Sequence, residues 1–531
     1  MADHKRAMIV LVGAISLLLR AALLPVFPVP HPAIQDEFSY LLAADTFAHG
    51  RLANPTPSFA AHFETLQVLM HPTYASKYPP ASGLVMGLAQ KLTGEPWLGI
   101  WFATGVLCSV ICWALQGWLP AAWALIGSLI ALLKIGILSY WSESYWGGTC
   151  TAIGGALLVG AIPRLLRRPG ANNALCFAAG LAILANTRPF EGLMLAAPCT
   201  LYVACALLRR RLAVQTLART VLIPACALLA PVTAWMSYYN YHVTGNAWEL
   251  PYVAHDRQYA IWSPLLWQTH PSPRPVYSNA VLEDFWTKGD AHDKVDAREH
   301  ILKTHVLDLF RLARFYLGLP LALCAVAFSK SLWRDAAARG ASLLGAAFYA
   351  GAAFDLRLFP HYAAPATVLA YIIAACAIRA VRSSWPGRAE ERLVLPWAVL
   401  AVCSLITVAN LPSPDNRYLF GPIDYHVRGE WASVIDRLER IPGHHLVLVS
   451  YGPKHEIYQE LVYNRADIDR QRVIWARSLS PELDRKLIEH YPMRQVWTLR
   501  EDGEVILKSY RLDQEKRTMT TQLAVPQNGH F

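Results

Sequence analysis

QDEFSYLLAADTFAHG, residues 35–50, follows closely on an apolar run from Met8 to Phe27. That run has about 20 residues, the length a helix needs to cross the hydrocarbon core of a bilayer. It is broken only by Arg20 and lacks a small-residue cleavage site, so it reads as a retained first membrane helix. The stretch behind it joins an acidic pair, Asp36 and Glu37, to a short amphipathic helix pattern over 36–49. In so apolar a chain, adjacent carboxylates just outside a membrane are the first place to look for chemistry.

The chain has 531 residues, of which 54% are hydrophobic and 16% charged, with a mean hydropathy of +0.27. A soluble protein is excluded, and a polytopic α-helical membrane protein is predicted. Further apolar segments lie at 97–118, 121–140, 147–163, 173–188, 191–208, 217–238, 306–329, 340–355, 361–379 and 393–411, giving eleven spans with the first. Alternate connections carry Lys5 and Arg6; Arg164, Arg167 and Arg168; Arg209, Arg210 and Arg211; Lys330, Arg334 and Arg339; and Arg379, Arg382, Arg388 and Arg392. Short cytoplasmic loops retain Lys and Arg, so the N-terminus is expected inside and, with an odd count, the C-terminus outside. These clusters account for most of the net charge of +10, and no nucleic-acid partner is implied.

The acids sort the other way. Asp36, Glu37, Asp45, Glu64, Glu95, Glu143 and Glu191 all fall at expected external ends, as do all histidines except His4. Charge is costly in lipid, so this one-sided clustering suggests a hydrated working face on the external side. The blander explanation is that external loops are simply longer. All ten cysteines fall inside the apolar segments, where a thiol behaves as a small hydrophobe, and neither a disulfide framework nor a thiolate metal site is indicated.

The spans and the external loops 29–96 and 239–305 make a membrane domain over 1–411, and the tail 412–531 a second domain. In the first loop, Pro79 and Pro80 lead into a short apolar helix over about 81–92, too short to span and suited to the interface. The second loop carries Trp248, Tyr252, Tyr259, Trp262 and Trp267, a composition typical of an interfacial belt. The tail alternates β-like runs at 445–451, 472–476, 495–499 and 504–509 with helical patterns near 454–462 and 481–490, which predicts a small α/β domain.

Consecutive helical residues point about 100° apart, so Asp36 and Glu37 cannot face one atom as a matched pair. They divide labour: one carboxylate accepts a proton from a hydroxyl while the other orients the nucleophile or holds a metal. The structural alternative is the preference of acids for the first turn of a helix. With these features on the page, the chain resembles the GT-C superfamily of integral-membrane glycosyltransferases, in the branch of protein O-mannosyltransferases and lipid A aminoarabinose transferases. The matching features are the acidic pair followed by FSYLLAADTFAHG, the run Lys77-Tyr78-Pro79-Pro80, SES at 142–144, TRPFEG at 187–192, and an external C-terminal domain. The chain departs from many members in having Tyr78, rather than His or Lys, before the proline pair.

The resemblance implies a donor sugar on a polyprenyl phosphate, a hydroxyl acceptor of unknown identity, and inverting transfer at the external face of the cytoplasmic membrane. The acceptor would be an envelope glycan, a lipid or a protein. Carried over, Asp36 is the base and Glu37 a supporting residue, the two together a candidate site for a divalent ion (Mg or Mn). The leaving phosphate needs positive charge; Lys77 is the first candidate, Arg188 the second, then Arg51 and Arg357. Tyr78, Glu143, Glu191, His71, His255 and His361 complete the candidate site. The rival class, a secondary transporter or flippase, predicts charges near the bilayer midplane and repeat symmetry; the sequence displays neither.

Overall fold

The computed structural model describes residues 2–210, 213–263, 265–266, 275–410 and 425–510. Trp267 and the tail beyond 510 lie outside them. The chain divides into two compact units, Met1–Thr56 with Leu66–Ile423, and Pro57–Thr65 with Asp424–Phe531.

The first unit is helical. Among the described residues, five helices are long and apolar enough to cross a membrane: Trp97–Trp118, Thr149–Arg167, Pro189–Arg209, Val214–Thr244 and Ala364–Ser384. They make a multi-pass membrane protein. A further apolar pair, Ile301–Tyr316 and Gly318–Ala327, is bent by 110°, the geometry of a broken span or a re-entrant loop. Gly318 takes a φ of 72°, a left-handed backbone that glycine adopts without steric cost, and the helix breaks there. Other segments read as spans are shorter: Ala121–Ile135 and Ala171–Ala185 have 15 residues each, about 22 Å at 1.5 Å per residue.

The first helix, α1 (Ala2–Ala22), carries Lys5, Arg6 and Arg20. It packs closely on Trp97–Trp118, since a Cβ added to Gly13 would lie 2.1 Å from Ser109 Oγ and 2.7 Å from the Gly105 carbonyl oxygen. Small residues permit that approach where hydrophobicity alone gives helices no reason to associate. Near its end, Arg20 is buried and donates to Glu143 at 2.6 and 3.0 Å, and its guanidinium lies 4.7 Å from the Trp97 ring.

The second helix, α2 (Gln35–Ala48), holds the acidic pair in its first turn. Its residues 37–40 and 42–46 are all buried. The helix Pro80–Thr93 covers it: a Cβ on Gly87 would meet the Ala44 carbonyl oxygen at 2.7 Å, so the two backbones touch. The exposed apolar stripe belongs to that covering helix, at Leu84, Leu88 and Leu92. A short hairpin, β1 (Val68–Leu69) and β2 (Ala75–Ser76), lies beside α2, pinned where Ser39 Oγ donates to the Gln67 carbonyl at 2.6 Å and meets Ser76 Oγ at 2.8 Å.

The second unit is α/β. Strands β3 (His445–Tyr451), β4 (Val473–Arg477), β5 (Gln495–Glu501) and β6 (Val505–Ser509) form one sheet in the order β4-β3-β5-β6. The first three are parallel and β6 is antiparallel. Buried Leu446, Val447, Leu448, Val449 and Ile474 give continuous apolar runs, as expected of strands covered on both faces. The helix expected near 481–490 is present as Pro481–His490 and starts on a Ser480 cap. The expected helix near 454–462 is instead irregular, because Glu460 draws the chain inward. Its carboxylate accepts the Leu461 and Val462 amides and pairs with buried Arg477 and with Tyr451. Pro57–Thr65 joins this unit, His62 Nδ1 lying 2.7 Å from the Arg477 carbonyl oxygen.

Candidate active site

Glu37 decides how α2 begins. Its Oε2 accepts the amides of Ala33 and Ile34 at 2.6 and 3.0 Å, and its Oε1 accepts the amide of Tyr145 at 3.0 Å. Ile34 has no side-chain oxygen to cap the helix, so Glu37 reaches back instead. At 1% exposure, with three amides on its carboxylate, Glu37 is a fastener of the fold.

Asp36, one position earlier, points about 100° away. Its carboxylate accepts the hydroxyl of Tyr78. The Tyr78 ring stacks on Tyr40, one turn along α2, with centroids 4.2 Å apart and planes within 8°. Lys77 Nζ lies 5.4 Å from the Tyr78 ring centre and, among the described residues, makes no salt bridge. Burial raises the Asp36 carboxyl above the ordinary aspartate value, and the charges of Lys77 and Arg188 pull partly against it. The departure at Tyr78 thus supplies the residue that holds Asp36.

Arg188 reaches the same place from another helix. It is the N-cap of Pro189–Arg209, 3.2 Å from Glu191 and 4.2 Å from the centre of the Tyr362 ring. The Ala81 amide donates to the Asn186 carbonyl at 3.0 Å, tying the proline-led helix to the turn that carries Arg188. Asp355 completes this side. Burial and the nearby Glu191 raise its carboxyl to about 8, so it is largely protonated at neutral pH. Sequence reading missed Asp355 and Tyr362, which stand alone in apolar or loop sequence with no motif to mark them, and Tyr40, which lies within FSYLLAADTFAHG without being singled out.

The other side of Lys77 faces the region after 250. Its charge is felt by His255, Asp256 and Asp290. His255 is fully buried, 3.5 Å from Asp256 and ringed by Tyr259 and Trp286; burial lowers its pKa to about 4, so it is neutral. Asp290 pairs with Lys294 at 2.7 Å. Asp256, Asp290 and Lys294 were also missed.

Other expected site residues have structural partners. Glu143 holds Arg20, and Arg357 leans on Asp293 at 3.7 Å. His361 is buried in an aromatic cluster, its Nδ1 3.0 Å from the Tyr140 hydroxyl and its ring 4.3 Å from Trp146. His71 is exposed, its carbonyl accepting from Gln258 at 2.8 Å. Arg51 follows the far end of α2, about 20 Å of helix from Asp36. A divalent ion on the acidic pair does not fit this arrangement. Glu37 spends its oxygens on amides, and among the described residues no three His, Cys, Asp or Glu side chains converge as metal ligands.

The chain is similar over 98% of its length, and 94% of the other's, to the crystal structure of ArnT from Cupriavidus metallidurans in the apo state, with a TM-score of 0.50 and 14% sequence identity. Its fold is of the GT-C type. The oligosaccharyltransferase of Archaeoglobus fulgidus, in complex with zinc and sulfate, aligns with 83% of the chain at 11% identity and a TM-score of 0.46; the chain spans 60% of that protein's length. No protein-family model and no curated protein sequence matches the chain. The GT-C fold does not by itself assign a reaction, because function resides in the side chains a fold presents.

Proposed function

We propose that this protein is an inverting glycosyltransferase that moves a sugar from a polyprenyl-phosphate donor to an acceptor hydroxyl at the external face of the cytoplasmic membrane. The observation that carries the reading is the convergence of one half-buried, hydrogen-bonded carboxylate, Asp36, with two cations, Lys77 and Arg188, from three separate segments. Its GT-C fold supports it.

In this reading the acceptor O–H bond breaks and the proton passes to the Asp36 carboxylate. The acceptor oxygen bonds to the anomeric carbon from the face opposite the phosphate. The anomeric C–O bond to phosphate breaks, its electron pair leaving with the lipid phosphate. Tyr78 fixes one carboxylate oxygen and leaves the other for the acceptor proton. Burial makes Asp36 more basic than a solvated aspartate, as a base near neutral pH requires. Lys77 and Arg188 meet the charge that grows on the departing phosphate, where fixed cations act most strongly. Glu37 sets the direction of α2 and hence of Asp36.

The test is label transfer in membranes supplied with a panel of polyprenyl-phosphate sugars, comparing the wild type with Asp36→Asn. Loss of transfer in the variant, with the protein still folded, is expected.

A further inference from the structure

Arg51, displaced from the Asp36 cluster, lines a cavity of its own. The cavity has a volume of about 430 Å³ and is bounded by the 50–55 turn, Thr73, Tyr238 and His242. That volume falls within the roughly 300–1,000 Å³ of small-ligand clefts. Among the described residues no Asp or Glu lines it, whereas Arg51 and His242 do. Arg51 is half-buried and, among the described residues, makes no salt bridge. A guanidinium held in a cleft without a carboxylate is suited to an anion from outside the chain, and its planar fork matches phosphate oxygens two at a time.

Asn54, 2% exposed, also lines the cavity, its Nδ2 donating to Thr46 Oγ1 at 2.8 Å and to the Tyr74 carbonyl at 3.1 Å, which fixes the 50–55 turn that carries Arg51.

The cavity's depth indicates the kind of ligand. His242 and Tyr238 stand in the last two turns of the helix Ile223–Thr244, which ends the apolar span Val214–Thr244. Tyr238 and Tyr241 are 56% and 59% exposed there, and Trp235 stacks on Tyr239. Exposed aromatics at the end of an apolar span mark the headgroup level of a bilayer. We propose that this cavity is a second binding site, separate from the Asp36 cluster, for the phosphate ester of an anionic lipid headgroup. Arg51 and His242 hold the phosphate.

The experiment titrates the full-length chain, purified in a neutral detergent, with dioctanoylphosphatidylglycerol, with dioctanoylglycerol and with inorganic phosphate, following heat of binding. Saturable binding of the phosphatidylglycerol alone, weakened at least tenfold by Arg51→Gln and less by Arg51→Lys, is the expected result. Inorganic phosphate binding with the same Arg51 dependence would keep the anion site and make its ligand a soluble phosphate. Failure of both to bind, equal binding of dioctanoylglycerol, or affinity untouched by Arg51→Gln would overturn the site. So would an equal loss in Lys77→Gln, which would place the binding at the Asp36 cluster instead. The Arg51 amide bonds to the Thr46 carbonyl whatever its side chain, so Arg51→Gln should fold, as its melting curve would verify. Were it not to fold, His242→Gln, on an exposed ring, serves as the second variant and should weaken binding in the same assay.

Discussion

Glu37 accepts the backbone amide of Tyr145 at 3.0 Å, joining the first turn of α2 to a loop 108 positions further along the chain. The same carboxylate holds the Ala33 and Ile34 amides, so one side chain fixes both the start of α2 and its place against the 137–148 loop. Glu37→Ala leaves three buried amides without an acceptor, each costing about 1–3 kcal/mol. Stability in detergent and transfer activity should fall together, and Glu37→Gln should recover part of both. Thermal unfolding beside the transfer assay measures this. A Glu37→Ala protein of native stability would contradict the role.

The Arg20–Glu143 pair clamps the same loop two residues earlier, with both side chains buried. Removing one member of a buried pair strands a charge, at a cost of about 3–5 kcal/mol, whereas replacing both costs far less. Glu143→Leu should therefore melt well below the wild type, and Arg20→Met with Glu143→Leu should melt above that single variant. A double variant no more stable than Glu143→Leu alone would refute it.

Much of this organisation was legible in the sequence. The four strands of the second unit fall within a residue or two of their expected bounds, because β-branched runs between turns admit few other readings. Lys77, Tyr78, Arg188 and Glu191 were picked from short motifs, and the fold brings them toward Asp36. What the sequence withheld is orientation. Nothing in QDEF tells which carboxylate the amides of Ala33, Ile34 and Tyr145 will capture, since Tyr145 arrives only through tertiary structure. Asp355 was invisible for a related reason: a lone loop aspartate acquires its raised pKa from burial and Glu191.

Lys77 and Arg188 should act on the donor. Lys77→Gln is expected to lower kcat/KM by about 100-fold, the scale seen when one preorganised charge-stabilising donor is lost. Arg188→Gln should do likewise, while melting temperature changes little for Lys77, which has no salt bridge among the described residues to lose. Steady-state kinetics with varied donor would detect it; unchanged kcat/KM in both variants would remove the phosphate role.

The pH dependence follows from signs. Asp36 acts as base only when ionised, and burial raises its pKa, so activity should fall on acidification at a higher pH than an ordinary aspartate would give. Lys77 lowers that pKa, and the Tyr78 hydroxyl bond favours the charged form. Both Lys77→Gln and Tyr78→Phe should therefore move the acidic limb of kcat/KM to higher pH. A limb that moves to lower pH in either variant contradicts the arrangement.

The most direct measurement of the central claim is transfer of labelled sugar from polyprenyl phosphate by Asp36→Asn, beside its melting curve. The substitution keeps shape and removes the base. The expected result is a loss of at least about 100-fold in transfer, the lower end of general-base effects, at unchanged melting temperature. Transfer undiminished by Asp36→Asn, from a donor the wild type uses, would contradict the assignment of Asp36 as the base.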